Sequence, residues 1–373
     1  MARYDFLIIG AGFFGVTCAR LLTDAGFKCL IIEKESKVGG LASTTEVDGI
    51  MCHDYGQHVL HTDDAEVWMF LLKYGTIVPT NKYVKVQNGN KYYSFPLTMD
   101  LFKEVYDTVY PKDAKKIIEH DQNDYGVGNR RNLEEESVYL AGFKAYMLTM
   151  KPYYEKLYGK EAKDISASAI RELDTVYKYT SGYYQDKYTG IPAEGYTKML
   201  ENMLGDDIDI MFNKDFILNR DKYSKLADII IATCPIDRYN NYIYGSLPWV
   251  TLDVDTRKSQ ESLGVGTVRT ITPGSLTIEM CEHDSFLPGM MADNHYISYI
   301  TPSKWTPEKK CMFAVNDYES EELFEKYISF VNENFDNIVF GGRQGMYRNI
   351  SMCESVRFAM DLCNDIISAR TAS

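Results

Sequence analysis

The stretch YDFLIIGAGFFG, residues 4–15, decides the fold of this chain. It is a short apolar run followed at once by glycines in the spacing G-x-G-x-x-G, and residues 16–25 after it have a helical pattern. A second apolar run, Cys29–Ile32, ends in Glu33. A strand, a glycine turn, a helix, a second strand and an acid are the order that a dinucleotide-binding βαβ unit requires. The alternative is a glycine-rich turn in an unrelated α/β domain.

The three glycines and the acid each have a role in such a site. Gly10 permits the tight turn, Gly12 lets the backbone approach a pyrophosphate, and Gly15 lets the helix pack closely on the strand. The helix N-terminus favours a pyrophosphate because its N–H groups are unpaired and its dipole is positive there. Glu33 is expected to accept hydrogen bonds from the ribose hydroxyls.

The residues that follow the second strand bear on the choice of cofactor. The fingerprint alone does not distinguish NAD from FAD. The segment VGGLA, residues 38–42, resembles the second glycine pair of flavoproteins, whose backbone runs along the flavin diphosphate. The sequence therefore favours FAD.

Composition restricts the partners of the chain. Its 373 residues suggest two or three structural units, and its net charge of −13 disfavours nucleic acid and anionic membranes as partners. An anionic substrate therefore needs a local basic pocket. Eight cysteines without a C-x-x-C pair are expected to be buried thiols in a reducing cytoplasm. The chain enters a strand directly and has no apolar run of roughly 18 residues, so neither a signal peptide nor a membrane span is expected.

Three histidines lie in the stretch HDYGQHVLHT, residues 53–62. We interpret this stretch as a loop over the flavin ring, because it mixes glycine with polar residues and follows the flavin-like segment. A metal site and a surface loop with incidental histidines are the alternatives. We predict no metal site.

The middle of the chain interrupts the α/β pattern. Residues 84–95 read as a hairpin, residues 98–172 as mostly helical with a polar loop at 121–131, and residues 247–316 as strands of a largely antiparallel sheet. Residues 189–196 read as a turn that leads into a helix. The predicted fold class is α/β, with a Rossmann-like FAD-binding domain (1–80, 196–245 and 335–373), an inserted helical domain (98–172) and an inserted antiparallel sheet domain that binds substrate (81–97, 173–195 and 246–334).

Short motifs occur in order over nearly the whole chain. They are the glycine fingerprint at 10–15, Glu33 with the glycine pair, the histidine stretch, FPL at 95–97, YTGIP at 188–192 with GYTK at 195–198, PID at 235–237, VND at 315–317, and FGGR at 340–343 with Gly345 and Tyr347. Together they resemble the flavin-dependent UDP-galactopyranose mutases of bacteria.

This resemblance implies a covalent mechanism in which the cofactor is the nucleophile. N5 of reduced FAD attacks the anomeric carbon of UDP-galactose and displaces UDP. The sugar–flavin adduct opens to an iminium ion and recloses as the furanose. The resemblance also implies a nucleotide-sugar substrate and a tendency to form homodimers.

The resemblance assigns the residues of the site. His58 and His61 lie at the flavin, Arg343 contacts the FAD diphosphate, and these three are the predicted catalytic support. The predicted cofactor-binding residues are Gly10, Gly12, Phe13, Phe14, Gly15, Glu33, Lys34, Gly40, Leu41, His58, Arg343 and Met352. The predicted substrate-binding residues are Tyr158, Arg171, Tyr183, Phe313 and Asn349, of which Tyr183 contacts the substrate phosphates.

The substrate half of the pattern departs from the family. Two arginines of the family neutralise the diphosphate, and the matching positions are Glu172, with Arg171 next to it, and Glu279. A unit charge pair at about 4 Å is worth roughly 4 kcal/mol at an effective dielectric near 20, so each reversal needs a compensating cation. The candidate cations are Arg171, Lys178, Arg269 and Arg348.

Smaller departures fall in the same region. Tyr158 replaces a family tryptophan, Phe313 and Asn349 replace two family tyrosines, and Ser351 replaces an aspartate.

The first hypothesis is a mutase that converts a nucleotide-activated pyranose to its furanose, with a substrate pocket of altered shape. The alternatives are an oxidoreductase or isomerase of the same fold that acts on a substrate without a diphosphate, and a non-catalytic flavin-binding partner protein.

Overall fold

Strands and helices alternate at both ends of the chain, and helices dominate part of its middle. The computed structural model describes residues 4–180, 182–272, 274–286 and 294–371. The strands are β1 (Tyr4–Ile9), β2 (Cys29–Ile32), β3 (Thr44–Val47), β4 (Ile50–His53), β5 (Leu60–Thr62), β6 (Ile77–Pro79), β7 (Val84–Asn88), β8 (Lys91–Phe95), β9 (Tyr188–Pro192), β10 (Asp209–Met211), β11 (Ala227–Ala232), β12 (Trp249–Ser259), β13 (Thr267–Thr270), β14 (Glu279–Glu282), β15 (His295–Ser303), β16 (Phe313–Ala314) and β17 (Ile338–Phe340). The helices are α1 (Phe13–Asp24), α2 (Ala65–Leu71), α3 (Met99–Tyr106), α4 (Pro111–Tyr125), α5 (Leu133–Ala141), α6 (Phe143–Ala145), α7 (Lys151–Tyr158), α8 (Gly195–Leu204), α9 (Arg220–Tyr223), α10 (Ile236–Tyr239), α11 (Tyr318–Asn334), α12 (Gly342–Gly345) and α13 (Met352–Thr371).

The N-terminal βαβ unit lies at the centre of a parallel sheet with the strand order β10-β2-β1-β11-β17. Strands β1 and β2 are apolar on both faces because helices cover both, as is usual for parallel sheets. Helix α1 packs against α13, so the first and last segments of the chain meet. The prediction of an α/β fold with a Rossmann-like unit is confirmed.

A second sheet has the strand order β16-β12-β15-β14-β13-β7-β8. The predicted hairpin forms, with Asn88 opposite Lys91, and joins this sheet through β7. Strand β7 pairs with β13 in parallel, whereas the other strand pairs of this sheet are antiparallel, so the sheet is mixed. This pairing brings the segment before the hairpin beside strands that follow it by about 180 residues.

Helices α3 to α7 pack against the mixed sheet. Val86 and Phe95 of the hairpin share a hydrophobic core with Leu101, Phe102 and Tyr146 of the helices and the π-helical turn after α6. The predicted loop at 121–131 is wrong for its first part, because α4 continues to Tyr125. Gly126 ends it in the left-handed conformation (φ +63°), which glycine adopts without strain.

A third, small sheet has the order β5-β9-β6. Residues 188–192 are therefore a strand, and the prediction of a turn at 189–196 is wrong for residues 189–192, whereas residues 193–194 form a turn before α8. A Cβ at Gly190 would lie 2.6 Å from the carbonyl oxygen of Val78, so glycine serves close strand packing here and not a turn. Strand β9 pairs with β5 and thereby places Tyr184, in the segment before β9, beside His61.

None of the helices in the described part of the chain is both long and apolar enough to cross a membrane. The eight cysteines are free thiols, and apart from the partly buried Cys234 they are buried, as predicted.

Candidate active site

A cavity of about 430 Å³ runs from the carboxyl ends of β1 and β2 to the mixed sheet and α7. This volume is typical of ligand pockets, which measure about 300–1,000 Å³. All of the predicted site residues line this cavity: Gly10, Gly12, Phe13, Phe14, Gly15, Glu33, Lys34, Gly40, Leu41, His58, His61, Tyr158, Arg171, Tyr183, Phe313, Arg343, Asn349 and Met352.

The glycine loop between β1 and α1 leaves space for a ligand on one side. Gly10 has φ +100°, and a Cβ there would lie 2.2 Å from Thr233 Oγ1. A Cβ at Gly15 would lie 2.1 Å from the carbonyl oxygen of Gly10. At Gly12 a Cβ would have no atom of the described chain within 4 Å. The loop is thus closed by packing at Gly10 and Gly15 and open towards the cavity at Gly12, at the N-terminus of α1.

Glu33 stands at the end of β2 and is almost fully buried. Its carboxylate accepts the N–H groups of Ala11 (2.6 Å) and Glu35 (2.8 Å). These bonds fix the two oxygens beside the glycine loop. Each oxygen keeps a lone pair for a further donor, such as a ribose hydroxyl.

The second glycine pair lies against the first. The N–H of Gly39 donates to the carbonyl oxygen of Ala11 (2.9 Å), and a Cβ at Gly40 would lie 3.4 Å from Gly12 Cα. Both glycines have positive φ, +123° and +57°. The two backbone segments therefore run side by side along the cavity, as a bound dinucleotide diphosphate requires.

Two of the buried polar atoms that have no partner in the described chain belong to cavity residues, Gln57 and Arg343. These atoms are Gln57 Nε2 and Arg343 Nε. A buried donor without a partner costs roughly 1–3 kcal/mol, and a ligand acceptor removes that cost. The open side of the glycine loop, the acid at Glu33 and these two donors together fit a flavin dinucleotide.

His58 connects the histidine stretch to the second glycine pair. Its Nε2 lies 2.8 Å from the carbonyl oxygen of Leu41, and its main-chain N–H donates to His53 Nδ1 (3.0 Å). Since a carbonyl only accepts, Nε2 carries the proton. Burial lowers the pKa of His58, and the charges of Arg343 and Lys82 lower this pKa further. His58 is therefore neutral at pH 7 and holds Leu41 in place.

His61 has different partners. Its Nδ1 lies 3.1 Å from Asp186 Oδ2, and its ring stacks on Tyr184 with centroids 3.7 Å apart. His53 is buried and stacks on Phe286. The three histidines thus have three separate environments, and His58 and His61 are the two that line the cavity.

Arg343 is the cation on α12. Burial lowers its pKa; the charge of Glu172 raises this pKa and that of Arg171 lowers it. Arg171 Nη2 donates to the main-chain oxygen of Asn349 and lies 3.6 Å from Glu354 Oε2. Arg171 and Glu172 both line the cavity, so the sequence position of the family arginine is occupied by a cation and an anion side by side.

Glu279 on β14 is buried between two cations. Arg269 Nε donates to Glu279 Oε2 (3.2 Å), and Lys82 Nζ lies 3.4 Å from Glu279 Oε1. All three residues are at most 9% exposed. Burial alone raises the pKa of Glu279, but the charges of Lys82 and Arg269 outweigh it and lower this pKa to about 2. The charge reversal at Glu279 is therefore offset locally.

The other candidate cations divide between the cavity and its exterior. Arg171 and Arg269 line the cavity, whereas the guanidinium of Arg348 lies 5.7 Å from the ring of Phe358, outside it, and Lys178 also lies outside it. Sequence reasoning missed Lys82, which stands just before the hairpin. Its only sequence signal is that position, because the contact depends on the pairing of β7 with β13.

Aromatic side chains form much of the substrate end of the cavity. Burial raises the pKa of Tyr158 to about 12, and the guanidinium of Arg343 lies 5.2 Å from the ring centroid of Phe313. Asn349 is engaged elsewhere: its amide accepts from the N–H of Ala314 and donates to the carbonyl oxygen of the same residue, both at 2.8 Å. It fastens β16 at the rim of the cavity.

Comparison with known proteins agrees with this geometry. A family model described as UDP-galactopyranose mutase matches residues 148–349, and one described as NAD(P)-binding Rossmann-like domain matches residues 8–74. The dTDP-fucopyranose mutase of Escherichia coli is 28% identical over 95% of this chain and 96% of its own. The probable UDP-galactopyranose mutase of Klebsiella pneumoniae is 27% identical over 99% and 96%.

The fold is also similar to that of a solved structure. The crystal structure of a reduced UDP-galactopyranose mutase superimposes with a TM-score of 0.75 over 98% of this chain and 96% of that chain, at 14% identity. The first family model covers more than half of the 373 residues. The chain therefore belongs to the UDP-galactopyranose mutase family and is a flavin-dependent sugar mutase.

Proposed function

We propose that the chain converts a nucleotide-activated pyranose to its furanose and that it needs reduced FAD to do so. The observation that carries this proposal is one cavity that joins the glycine loop at Gly12 to two groups of cations, Arg171 with Arg343 and Lys82 with Arg269. A diphosphate of the cofactor and a diphosphate of the substrate both need positive or N–H-rich surroundings. Such surroundings occur at both ends of this cavity.

The residues that would hold FAD follow the cavity wall. The loop at Gly12 and the N-terminus of α1 receive the diphosphate, Glu33 the ribose, and Gln57 Nε2 an acceptor of the flavin. Reduced FAD supplies a nucleophile, its N5, for the anomeric carbon of the sugar. Leu41, fixed by neutral His58, supports the flavin from the second glycine segment.

The residues of the substrate end bind and orient the nucleotide sugar. Arg171 neutralises the departing diphosphate, because a charged donor stabilises the charge that develops on the leaving group. Arg343, whose unpartnered Nε suits an acceptor of the flavin dinucleotide, adds its positive charge beside Arg171. Tyr158, Tyr183 and Phe313 exclude water from the reacting sugar, and this strengthens every charge interaction inside the cavity.

The names of the relatives provide two substrates to test. One relative is a dTDP-fucopyranose mutase and another a probable UDP-galactopyranose mutase, and their identities to this chain differ by one percentage point. Both sugar nucleotides carry a diphosphate and a pyranose. We therefore propose this substrate class without preference between the two.

The test is turnover by protein loaded with FAD and reduced with dithionite. Each nucleotide sugar is incubated with the protein, and the products are separated by chromatography. We expect a new furanose product with at least one of them, and a rate far lower with oxidised flavin. Absence of product from both, with reduced flavin bound, would contradict the mutase on these substrates.

A second candidate function is an oxidoreductase or isomerase of this fold that acts on a substrate without a diphosphate. The exposed carboxylate of Glu172 at the cavity favours it, because it repels a diphosphate and attracts a cationic group. Reduction of the bound FAD by an amine or polyol substrate, measured from the loss of flavin absorbance, would support this second function.

A further inference from the structure

The buried side chains Lys82, Arg269 and Glu279 form a group that we call the Arg269 cluster. It lines the cavity where β7, β13 and β14 are adjacent, in register Arg269 opposite Glu279. This cluster is distinct from the glycine loop and from the other pair of cations in the cavity, Arg171 and Arg343. Its charges add up to +1, from two cations and one ionised carboxylate.

The guanidinium of Arg269 is held in a fixed plane. Its Cζ lies 4.4 Å from the ring centroid of Tyr153, 4.8 Å from that of Phe95 and 5.7 Å from that of Tyr183. Its Nε is bound to Glu279. An arginine that is stacked and bound in this way loses little further entropy when it binds a ligand.

The outer edge of the guanidinium is available. Among the described residues, Nε is the only donor of Arg269 that has a hydrogen-bond partner, and neither Nη atom counts among the fully buried atoms without a partner. The Nη atoms therefore face the cavity that Arg269 lines. Lys82 adds donors beside them, because its Nζ makes a single contact with Glu279.

A buried net charge requires a counter-charge. Removing an ion from water costs several kcal/mol unless it is paired, and here two cations share one carboxylate. The planar fork of an arginine matches a planar pair of oxygens, as in a carboxylate or a phosphate. The cluster thus has the charge and the shape of a site for an anionic oxygen pair.

We propose that Arg269, with Lys82, binds an anionic oxygen pair of the nucleotide sugar. The pair belongs either to a phosphate of the nucleotide or to a carboxylate on the sugar, and the experiment distinguishes these sources. The inference deepens the proposed function and rests on it. On this proposal, Arg269 and Lys82 determine which substrate is bound. They flank Glu279, which occupies the position where the family resemblance predicts an arginine.

The test is titration calorimetry on the FAD-loaded protein with three ligands: UDP, UDP-galactose and UDP-galacturonate, which carries a carboxylate at C6. The variants are Arg269→Gln and Arg269→Lys. The matched control is Arg257→Gln, which removes an exposed arginine of β12 paired with Asp255. Loss of a charged hydrogen-bond pair is expected to weaken binding about 10- to 100-fold.

The pattern over ligands identifies the source. Weakening of all three ligands by Arg269→Gln supports a phosphate. Weakening of UDP-galacturonate alone supports a carboxylate on the sugar. In both cases Arg269→Lys restores part of the affinity, and Arg257→Gln binds like the wild type. Binding of all three ligands to Arg269→Gln within about twofold of the wild type would overturn the inference.

A folding control accompanies these titrations. Arg269→Gln leaves Glu279 with Lys82 alone, so the double variant Arg269→Gln/Glu279→Gln removes the charges of the pair together and is expected to show the same loss of affinity with wild-type flavin content. The inference and the proposed function fail separately. Absence of turnover with intact, Arg269-dependent binding contradicts the mutase only, whereas turnover with Arg269-independent binding contradicts the inference only.

Discussion

Glu279 and Arg269 lie opposite each other on neighbouring antiparallel strands, with Arg269 Nε 3.2 Å from Glu279 Oε2. A carboxylate at Glu279 would by itself repel a diphosphate. The guanidinium one strand away and the ammonium of Lys82 on its other side more than compensate for its charge. The cation that Glu279 replaces in the sequence is thus supplied by Arg269 and Lys82, which lie in the same wall of the cavity.

The first prediction concerns the pH dependence of stability. The pKa of Glu279 is lowered from 4.5 to about 2, so its ionised form stabilises the fold fully above about pH 4.5, and this contribution is lost as the pH falls through about 2. Glu279→Gln is expected to lower the free energy of unfolding by roughly 2–3 kcal/mol at neutral pH. Urea unfolding from pH 7 to pH 3 measures it.

The difference between the variant and the wild type should shrink at the acid end of that series. The exposed Glu46 of β3 provides the control, and Glu46→Gln is expected to change stability by at most about 0.5 kcal/mol. Equal stability of Glu279→Gln and the wild type at pH 7 would contradict the pairing described here.

The second prediction separates cofactor binding from folding within the glycine loop. Gly12→Ala places a methyl group in the open side of the loop, so the apoprotein should melt like the wild type while FAD binds at least about tenfold more weakly. Gly15→Ala drives a methyl group against the carbonyl oxygen of Gly10 and should cost about 1–3 kcal/mol of stability as well. Thermal melts of both apoproteins and their flavin content test the pair. Similar melting of the two variants would contradict the assignment.

The third prediction concerns Arg343, the partly buried cation of α12. Arg343 has no hydrogen-bond or ion-pair partner among the described residues, and burial lowers its pKa, so its charge destabilises the apoprotein. Arg343→Met should raise the melting temperature of the apoprotein and lower kcat/KM for a nucleotide sugar by about 100-fold. The same change at the exposed Arg257 should alter neither quantity. A lower melting temperature for Arg343→Met would show that this charge has a partner.

The fourth prediction concerns the bond between His58 and Leu41. His58→Gln retains a side-chain donor for the carbonyl oxygen of Leu41, whereas His58→Phe removes it. We expect Gln to keep most of the flavin affinity and Phe to lose about 1 kcal/mol or more. Fluorescence titration of the apoproteins with FAD measures both. Equal affinities would mean that this bond does not support the flavin segment.

The features that the sequence predicted are local ones. The glycine loop, Glu33 and the second glycine pair lie within forty residues, and their spacing alone defines the geometry around Gly12. The hairpin at 84–95 could also be predicted, because its turn residues and its alternating apolar and polar residues are contiguous in the sequence. Helix α4 extends further than predicted. Its last turn is polar, so no hydrophobic pattern marks that turn in the sequence, and the helix ends at Gly126.

The features that the sequence did not predict depend on distant strands. Lys82 meets Glu279 because β7 pairs with β13, an arrangement no local pattern encodes. Gly190 and Pro192 are turn residues and predict a turn, yet they lie in strand β9, where the glycine serves close packing on Val78. Glu172 matches the position of a family arginine in the sequence, and both Arg171 and Glu172 line the cavity in the fold.

We propose that reduced flavin in this cavity drives the interconversion of a nucleotide-activated pyranose and furanose. The most direct measurement is the rate of furanose formation from UDP-galactopyranose and dTDP-fucopyranose, compared between reduced and oxidised FAD on the same protein preparation. We expect a furanose product from at least one substrate and a rate that is lower by at least about 100-fold with oxidised flavin. Full flavin occupancy with no furanose from either substrate, or with equal rates in the two redox states, would contradict it.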